Sequence, residues 1–349
     1  MSDMSRRVAL AGAGALGIAA ISSISQAQQS DPLTVQGLVS DQIVGPLAGI
    51  TIHTSNGDSF RRFLQGGMGM NVGPLEIKAG GRRYGIDQDE ITSRTYIGAN
   101  AGPQAISVHV IEGASPDTSQ LRPDHDALIP GLLSIGFPVS GIEARAKILA
   151  AYDFPAAAGV TDITLPRADG TSYKVFESHH RAPDGVLCLC IDRAALKPVG
   201  PIDLSGLGIG APAYSGMIVS DAAAMERLLV GVFGWQKRRD VVLSSSGPNG
   251  GLGLPVGQRF IFQQYFSPGT DTGYLVVMQH LMNQRNVPAK LGLVQRGLGL
   301  LSFKTKRLTE VVRRAQAQNV TILAPLVSRP TRSIILATPD GVPIEVVQA

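Results

Sequence analysis

The chain has 349 residues, of which 44% are hydrophobic and 17% charged, and its formal net charge is +4. That leaves room for two domains with real cores and excludes a disordered chain. Its 31 Lys and Arg residues are scattered or occur as isolated pairs (Arg61-Arg62, Arg82-Arg83, Arg313-Arg314), with no basic stripe interleaved with aromatics, so nucleic-acid binding is not expected.

Residues 1–27 read as an export signal. Arg6-Arg7 precede a Gly/Ala-rich apolar run over 8–24, and Ser25-Gln26-Ala27 places small residues where a signal peptidase cuts. The arginine pair fits twin-arginine export. A membrane span needs roughly 20 strongly apolar residues, and this run is short and weakly apolar. Cleavage without stable membrane insertion, and a periplasmic or secreted product, are expected. Gly12-Ala13-Gly14-Ala15-Leu16-Gly17 spells a dinucleotide fingerprint, but no strand precedes it, so it is not read as a cofactor site.

The remaining chain repeats one plan four times. In the first unit, 49–55 is a strand, 56–65 a short helix stopped by Gly66-Gly67, and 105–112 a closing strand that carries His109. His53 alternates with Thr51 and Ser55, so it shares a polar face that is a pocket wall or solvent. The second unit has a strand over 132–139, a helix over 142–152 and a hairpin of 173–179 with 185–192. Cys188 and Cys190 lie two apart on that hairpin, too far for a disulfide, and are expected as small core residues. His179-His180 at the strand end is expected to be exposed.

The third unit opens with a strand over 213–221, whose Asp221 can cap a helix over 222–233 that stops at Gly234-Trp235. Strands follow near 241–245, 259–266 and 273–279. Alternation should turn one or two of Gln263, Gln264 and Tyr265 into a pocket, and His280 follows the closing strand. The fourth unit has a strand over 298–303 and an amphipathic helix over 308–318. It ends in a strand over 333–337, a Pro339-Asp340-Gly341 turn, and a final strand holding Glu345 among β-branched neighbours. A buried acid there is costly unless something uses it. The Gly- and Pro-rich linker 194–212 divides a domain 46–193 from a domain 212–349.

Val219-Ser220-Asp221 leading into a helix that ends Val232-Phe233-Gly234-Trp235, and Thr338-Pro339-Asp340-Gly341 leading into Ile344-Glu345, resemble the vicinal oxygen chelate superfamily. That superfamily contains glyoxalase I, bleomycin-resistance proteins and extradiol dioxygenases. The match lies in 212–349, and the first two units agree in pattern alone. The resemblance implies an α+β fold of repeated βαβββ modules, paired in chain order into two cupped mixed sheets, each around a pocket. It also implies an ion held by first-strand residues, often His, and last-strand residues, often Glu. The first-strand places here are Gly49, Ser134, Tyr214 and Leu300, none a strong ligand. Of the closing strands, the first holds His109 and the fourth Glu345, which the division at 194–212 assigns to different domains. An ion needs three or four converging ligands, so no cofactor is expected and a divalent metal is disfavoured.

The leading expectation is an exported protein that binds a small apolar or aromatic molecule in its C-terminal cup. It would be a metal-independent lyase or isomerase in which Glu345 transfers a proton while Tyr214 and His280 orient the substrate. Gln263, Tyr265, Leu300, His109 and His53 are the candidate substrate-binding residues. The competing readings are a non-catalytic binding or sequestering protein, a metal-dependent glyoxalase or dioxygenase, and a Glu345 merely paired with Arg259 or Arg332. A homodimer is compatible with the sequence.

Overall fold

The computed structural model describes residues 42–74, 96–99, 106–112, 119–166, 171–193, 212–247, 250–285, 295–327 and 332–349. The export segment 1–27 and nearly all of the linker 194–212 lie outside the described residues. The first module comprises β1 (Leu47–Thr54), α1 (Gly57–Arg61), β2 (Asn71–Pro74), β3 (Tyr96–Ala99) and β4 (Ser107–Glu112). The second has β5 (Gly131–Pro138), α2 (Ile142–Ala151), β6 (Ala156–Pro166), β7 (Ser172–Arg181) and β8 (Leu187–Asp192). The third has β9 (Tyr214–Ile218), α3 (Ala222–Glu226), β10 (Gln236–Ser244), β11 (Arg259–Phe266) and β12 (Tyr274–His280). The fourth has β13 (Gly297–Thr305), α4 (Leu308–Ala317), β14 (Ile322–Val327), β15 (Ser333–Ala337) and β16 (Pro343–Gln348).

Local chemistry starts the helices where the sequence places them. Asn56 accepts from Ser59 N at 3.1 Å and Asp221 from Ala224 N at 2.9 Å, each satisfying a donor of the first turn. Both helices then widen into π-helical turns, Arg62–Gly67 and Arg227–Val232, closed by Met68 N on Phe63 O and Phe233 N on Leu228 O. One residue is added per turn, which apolar spacing over so short a segment does not separate from an ordinary helix.

The modules do not pair in chain order. One sheet runs β14-β15-β16-β13-β1-β4-β3-β2 and the other β10-β11-β12-β9-β5-β8-β7-β6. The first module therefore shares a sheet with the fourth, and the second with the third. This corrects the expected division into 46–193 and 212–349, because each half of the chain contributes to both sheets. The seams are antiparallel, with Gly49 opposite Ser302 and Thr51 opposite Leu300 in one, and Gly136 opposite Tyr214 in the other.

The helix-bearing faces of both sheets contribute to one apolar core. Buried Arg145 of α2 donates Nη1 to Gly67 O at 2.7 Å, and Phe63 meets Phe154 edge-on with ring centroids 5.0 Å apart. Further along, Phe233 and Trp235 each set an edge against Phe303, at 5.3 and 5.5 Å, while Trp235 Nε1 donates to Val44 O at 3.0 Å. With the helices in this core, the opposite face of each sheet is the cupped one.

A polar joint ties the rim of the first sheet to the second. Thr54 Oγ1 donates to Asp184 in the β7–β8 turn, and Arg296 bridges Asp184 at 3.2 Å and Ser55 at 2.7 Å. Gly185 follows with φ +74°, and a Cβ there would lie 2.2 Å from Arg122 O, so only glycine fits. Arg122 is itself buried, donating to the carbonyls of Leu132, Asp126 and Gly131 at 2.7, 2.8 and 2.8 Å. Burial pulls its pKa down to about 9, so it stays charged at neutral pH.

The pairing has a direct consequence for fragments. Residues 212–349 hold parts of two sheets, so expressed alone they should show no cooperative urea transition. Residues 119–285 hold the whole second sheet and should unfold cooperatively. A cooperative transition in the 212–349 fragment would contradict the interleaved pairing.

Candidate functional site

Alternation along β1, β4, β13 and β16 sends Ile50, Val108, Leu301 and Ile344 into the core, so Gly49, His109, Leu300 and Glu345 face the cup. The ladders then set the neighbours. Gly49 lies beside Ser107, Thr51 beside His109, and Ser302 beside Glu345. A Cβ built on Gly49 would sit 3.5 Å from Ser107 Oγ, 3.5 Å from Ser302 Cβ and 3.7 Å from His109 Cε1. Gly49 is thus the bare floor between two polar groups, and any side chain longer than alanine would fill the space between them.

His109 and Glu345 therefore face one cup, not two. Their expected separation into different domains is overturned by the pairing of first and fourth modules. Glu345 is fully buried, and Ser302 Oγ donates to its Oε2 at 3.1 Å. Without such bonds a buried carboxylate costs several kcal/mol. His109 Nε2 lies 2.9 Å from Ser107 Oγ. Leu300 is buried on the same face, and so is His53, which is thereby withdrawn from solvent. Thr51 is fully buried, and its Oγ1 has no hydrogen-bond partner among the described residues. A native fold leaves few such hydroxyls unsatisfied.

Tyr214 and His280 do not join Glu345, because β9 and β12 belong to the second sheet. There Tyr214 stacks on Tyr274 at 4.8 Å, Tyr274 on Phe266 at 4.4 Å, and the Arg238 guanidinium lies 4.3 Å over Phe266. The Tyr214 ring occupies the space over Gly136, where a Cβ would meet it at 1.9 Å. With Leu133, Leu254 and Met278, this ladder fills the second cup with the protein's own side chains. Burial pushes the Tyr214 phenol well above its ordinary pKa and Tyr274 up to about 12, so both stay neutral. His280 is occupied as well. Its Nε2 donates to Ala127 O at 2.8 Å, leaving Nδ1 to accept from Gln258 Nε2 at 3.2 Å.

Gln263 and Tyr265 have the right periodicity and the wrong phase. Tyr265 lies in the helix-side core and donates its hydroxyl to Gln263 Oε1 at 2.9 Å, while Gln263 Nε2 donates to Asp240 at 3.2 Å. It is Phe266 and Phe260, on the alternate positions of β11, that face the second cup. Arg259 also stands on β11, in the sheet that lacks Glu345, so it is no partner for that acid. His179 and His180 are buried rather than exposed. His180 Nδ1 donates to Phe154 O at 2.8 Å and its Nε2 accepts from Ser178 Oγ at 2.9 Å. Cys188 and Cys190 are buried and unlinked, as expected of core residues.

The two cups can be compared place by place. Ser107 pairs with Gly49, and His109 follows two residues on; in the second sheet Leu187 pairs with Ser134 and Leu189 follows, while Tyr274 pairs with Tyr214 and Val276 follows. Where the first cup presents His109 and Glu345, the second presents Leu189 and Val276.

No family model matches this sequence, and no curated protein does. Solved structures do. Glyoxalase I from Zea mays superposes over 87% of this chain and 92% of its own with a TM-score of 0.57 at 12% identity. A putative dioxygenase from Bacillus subtilis superposes over 88% and 86% with a TM-score of 0.56 at 13% identity. The chain has the vicinal oxygen chelate fold. At such identities the likeness is one of fold, and the site rests on this chain's own residues.

Vicinal oxygen chelate enzymes commonly hold an ion at the places occupied here by Gly49, His109, Leu300 and Glu345. Those four supply one imidazole and one carboxylate, and one carboxylate oxygen already accepts from Ser302. No group of three His, Cys, Asp or Glu side chains positioned to hold a metal exists among the described residues. This donor set does not fit the resident ion, which asks for at least three protein ligands.

Two outcomes follow from the buried polar groups. Thr51→Val removes an unsatisfied hydroxyl at nearly constant shape and should raise stability by about 1 kcal/mol in urea denaturation. Burial also lowers the pKa values of His125, His180 and His280 from an ordinary 6.5. Below pH 6.5 the unfolded chain takes up protons that the folded one refuses, so stability is full above that pH and falls as pH drops through it. Melting temperature should decline between pH 7.5 and 5.5, with a shallower slope in His280→Gln.

Proposed function

We propose that the first cup is the working pocket of an exported enzyme, a metal-independent lyase or isomerase in which Glu345 moves a proton of a small, largely apolar or aromatic molecule. The observation that carries this reading is the setting of Glu345. Its carboxylate is fully buried at the centre of a cup, oriented by Ser302, and shares that cup with His109. A carboxylate removed from water and set on the face of a cup is placed to exchange a proton with a bound substrate. His109 takes the part expected of Tyr214 and His280, since it shares the face of Glu345 while they stand in the other sheet. Apolar Leu300 lies between them in the sheet, which favours a substrate with an apolar framework. The filling of the second cup supports a single working pocket per chain. Arg6-Arg7, the apolar run and Ser25-Gln26-Ala27 support export to the periplasm or beyond.

The decisive variant is Glu345→Gln, assayed against a substrate identified by turnover screening. Turnover should fall at least about 100-fold while substrate affinity is kept. Unchanged turnover eliminates the proton-transfer role, and a ligand that co-purifies unaltered and is never converted makes the protein a binder. Stoichiometric transition metal in purified protein would remove the metal-free premise.

A further inference from the structure

The floor of the second cup is filled by rings, but its mouth carries charge. On β8, Leu187, Leu189 and Ile191 face that cup, so Arg193, two residues past Ile191, continues the same face. Glu177 stands opposite Ile191 on β7 and shares it. From the other side comes Arg239 on β10, the ladder partner of Gln264, which alternates with Phe262 and Phe266 on the cup face of β11. Arg239 Nη2 donates to Tyr173 Oη at 3.0 Å, so β10 and β7, near opposite edges of the sheet, meet across the mouth. The ring ladder lies close beneath. Arg193 favours the phenolate of both Tyr214 and Tyr274, and Arg239 that of Tyr274, but burial outweighs them and both tyrosines keep their hydrogens.

Arg193 is the unbalanced member of this group. Its Nε is buried and has no hydrogen-bond partner among the described residues. Its neighbours are engaged: Arg238 pairs with Asp271 at 3.0 Å above Phe266, and the Glu177 carboxylate lies 3.2 Å from His179 Nε2. A guanidinium does not give up its charge, so a donor withdrawn from water stays unfavourable until an acceptor reaches it. We infer that the mouth of the second cup is a binding site for a small organic carboxylate, held between the guanidiniums of Arg193 and Arg239. The planar fork of arginine matches a carboxylate. Two guanidiniums facing the single carboxylate of Glu177 favour one negative charge, and a dianion such as phosphate meets stronger repulsion from Glu177. Ile191 and Val175 on the same face suit an acid with an apolar or aromatic body. The ring ladder stays in place under such a ligand, so the mouth is an accessory site and not a second working pocket. It lies wholly in the second sheet and does not depend on what the first cup binds.

The test is NMR titration of the full chain labelled with ¹⁵N-arginine, following the Nε–H signals, with Arg193 and Arg239 assigned by their loss in Arg193→Gln and Arg239→Gln. The probes are benzoate, its neutral isostere benzamide, and inorganic phosphate, at constant ionic strength. Benzoate should shift both signals and benzamide neither. Arg193→Gln and Arg239→Gln should each weaken benzoate at least about tenfold, read on the arginine that remains, for the loss of one charge-assisted hydrogen bond. Arg313→Gln, exposed on α4, should leave the affinity unchanged. Arg193→Lys keeps the charge and gives up the fork, so its affinity should fall between wild type and Arg193→Gln; it also serves as the second variant if Arg193→Gln loses its cooperative urea transition. No shift with benzoate, an equal shift with benzamide, tighter binding of phosphate than of benzoate, or full benzoate affinity in folded Arg193→Gln overturns the site.

Discussion

The antiparallel ladder of β1 against β13 is the contact on which the rest of the molecule depends. It joins the first module to the last, sets Gly49 opposite Ser302, and so brings His109 and Glu345 to one surface. Closing so long a loop costs little more than closing a shorter one, because the entropy grows only with the logarithm of its length. The second and third modules pair with each other inside that loop, and their seam at β5 and β9 shortens the path the outer modules must span. The joint of Thr54, Asp184 and Arg296 then locks the inner turn at Pro183–Gly185 to the rim of the outer sheet.

One scaffold used twice has produced two unlike cups, and the difference comes down to a few positions. In the second, rings from β9, β11 and β12 stack across the sheet and end under Arg238. Each buried ring removes some 150–250 Å² from water, so that cup contributes to stability in the way of an ordinary core. In the first, the corresponding places hold a glycine, an imidazole, a leucine and a carboxylate, and Thr51 keeps a hydroxyl without a partner among the described residues. These groups cost stability, and such costs are typical of surfaces kept for binding and chemistry. The fold tolerates the polar cup because the filled one and the shared helix-side core stabilise it.

Much was legible in the residues themselves. The helix start at Asn56, the cap at Asp221, the stop at Gly234-Trp235, the turn at Pro339-Asp340-Gly341 and the alternation around Glu345 each depend on neighbours within one turn of chain, and each stands where its residues place it. The buried cysteines on β8 were legible for the same reason. Phase was harder than period: Gln263 and Tyr265 alternate correctly on β11 but turn to the helix side, where a polar chain through Asp240 satisfies them. His179-His180 misled because a strand end reads as exposed until the neighbouring carbonyl of Phe154 and the carboxylate of Glu177 are known.

By itself the sequence determined a strand–helix–strand plan repeated four times, the cap at Asp221 and several turns, and the lone acid on the final strand, since all of these follow from side-chain chemistry at short range. Only the tertiary structure decided which modules share a sheet, and with that the identity of the site. Backbone ladders are chemically alike from strand to strand, so nothing in β1 itself names β13 as its neighbour in preference to β5. The choice is made by packing of the whole chain, through contacts such as Phe233 and Trp235 on Phe303 and Arg145 on Gly67. That choice moved His109 next to Glu345 and took Tyr214 and His280 away.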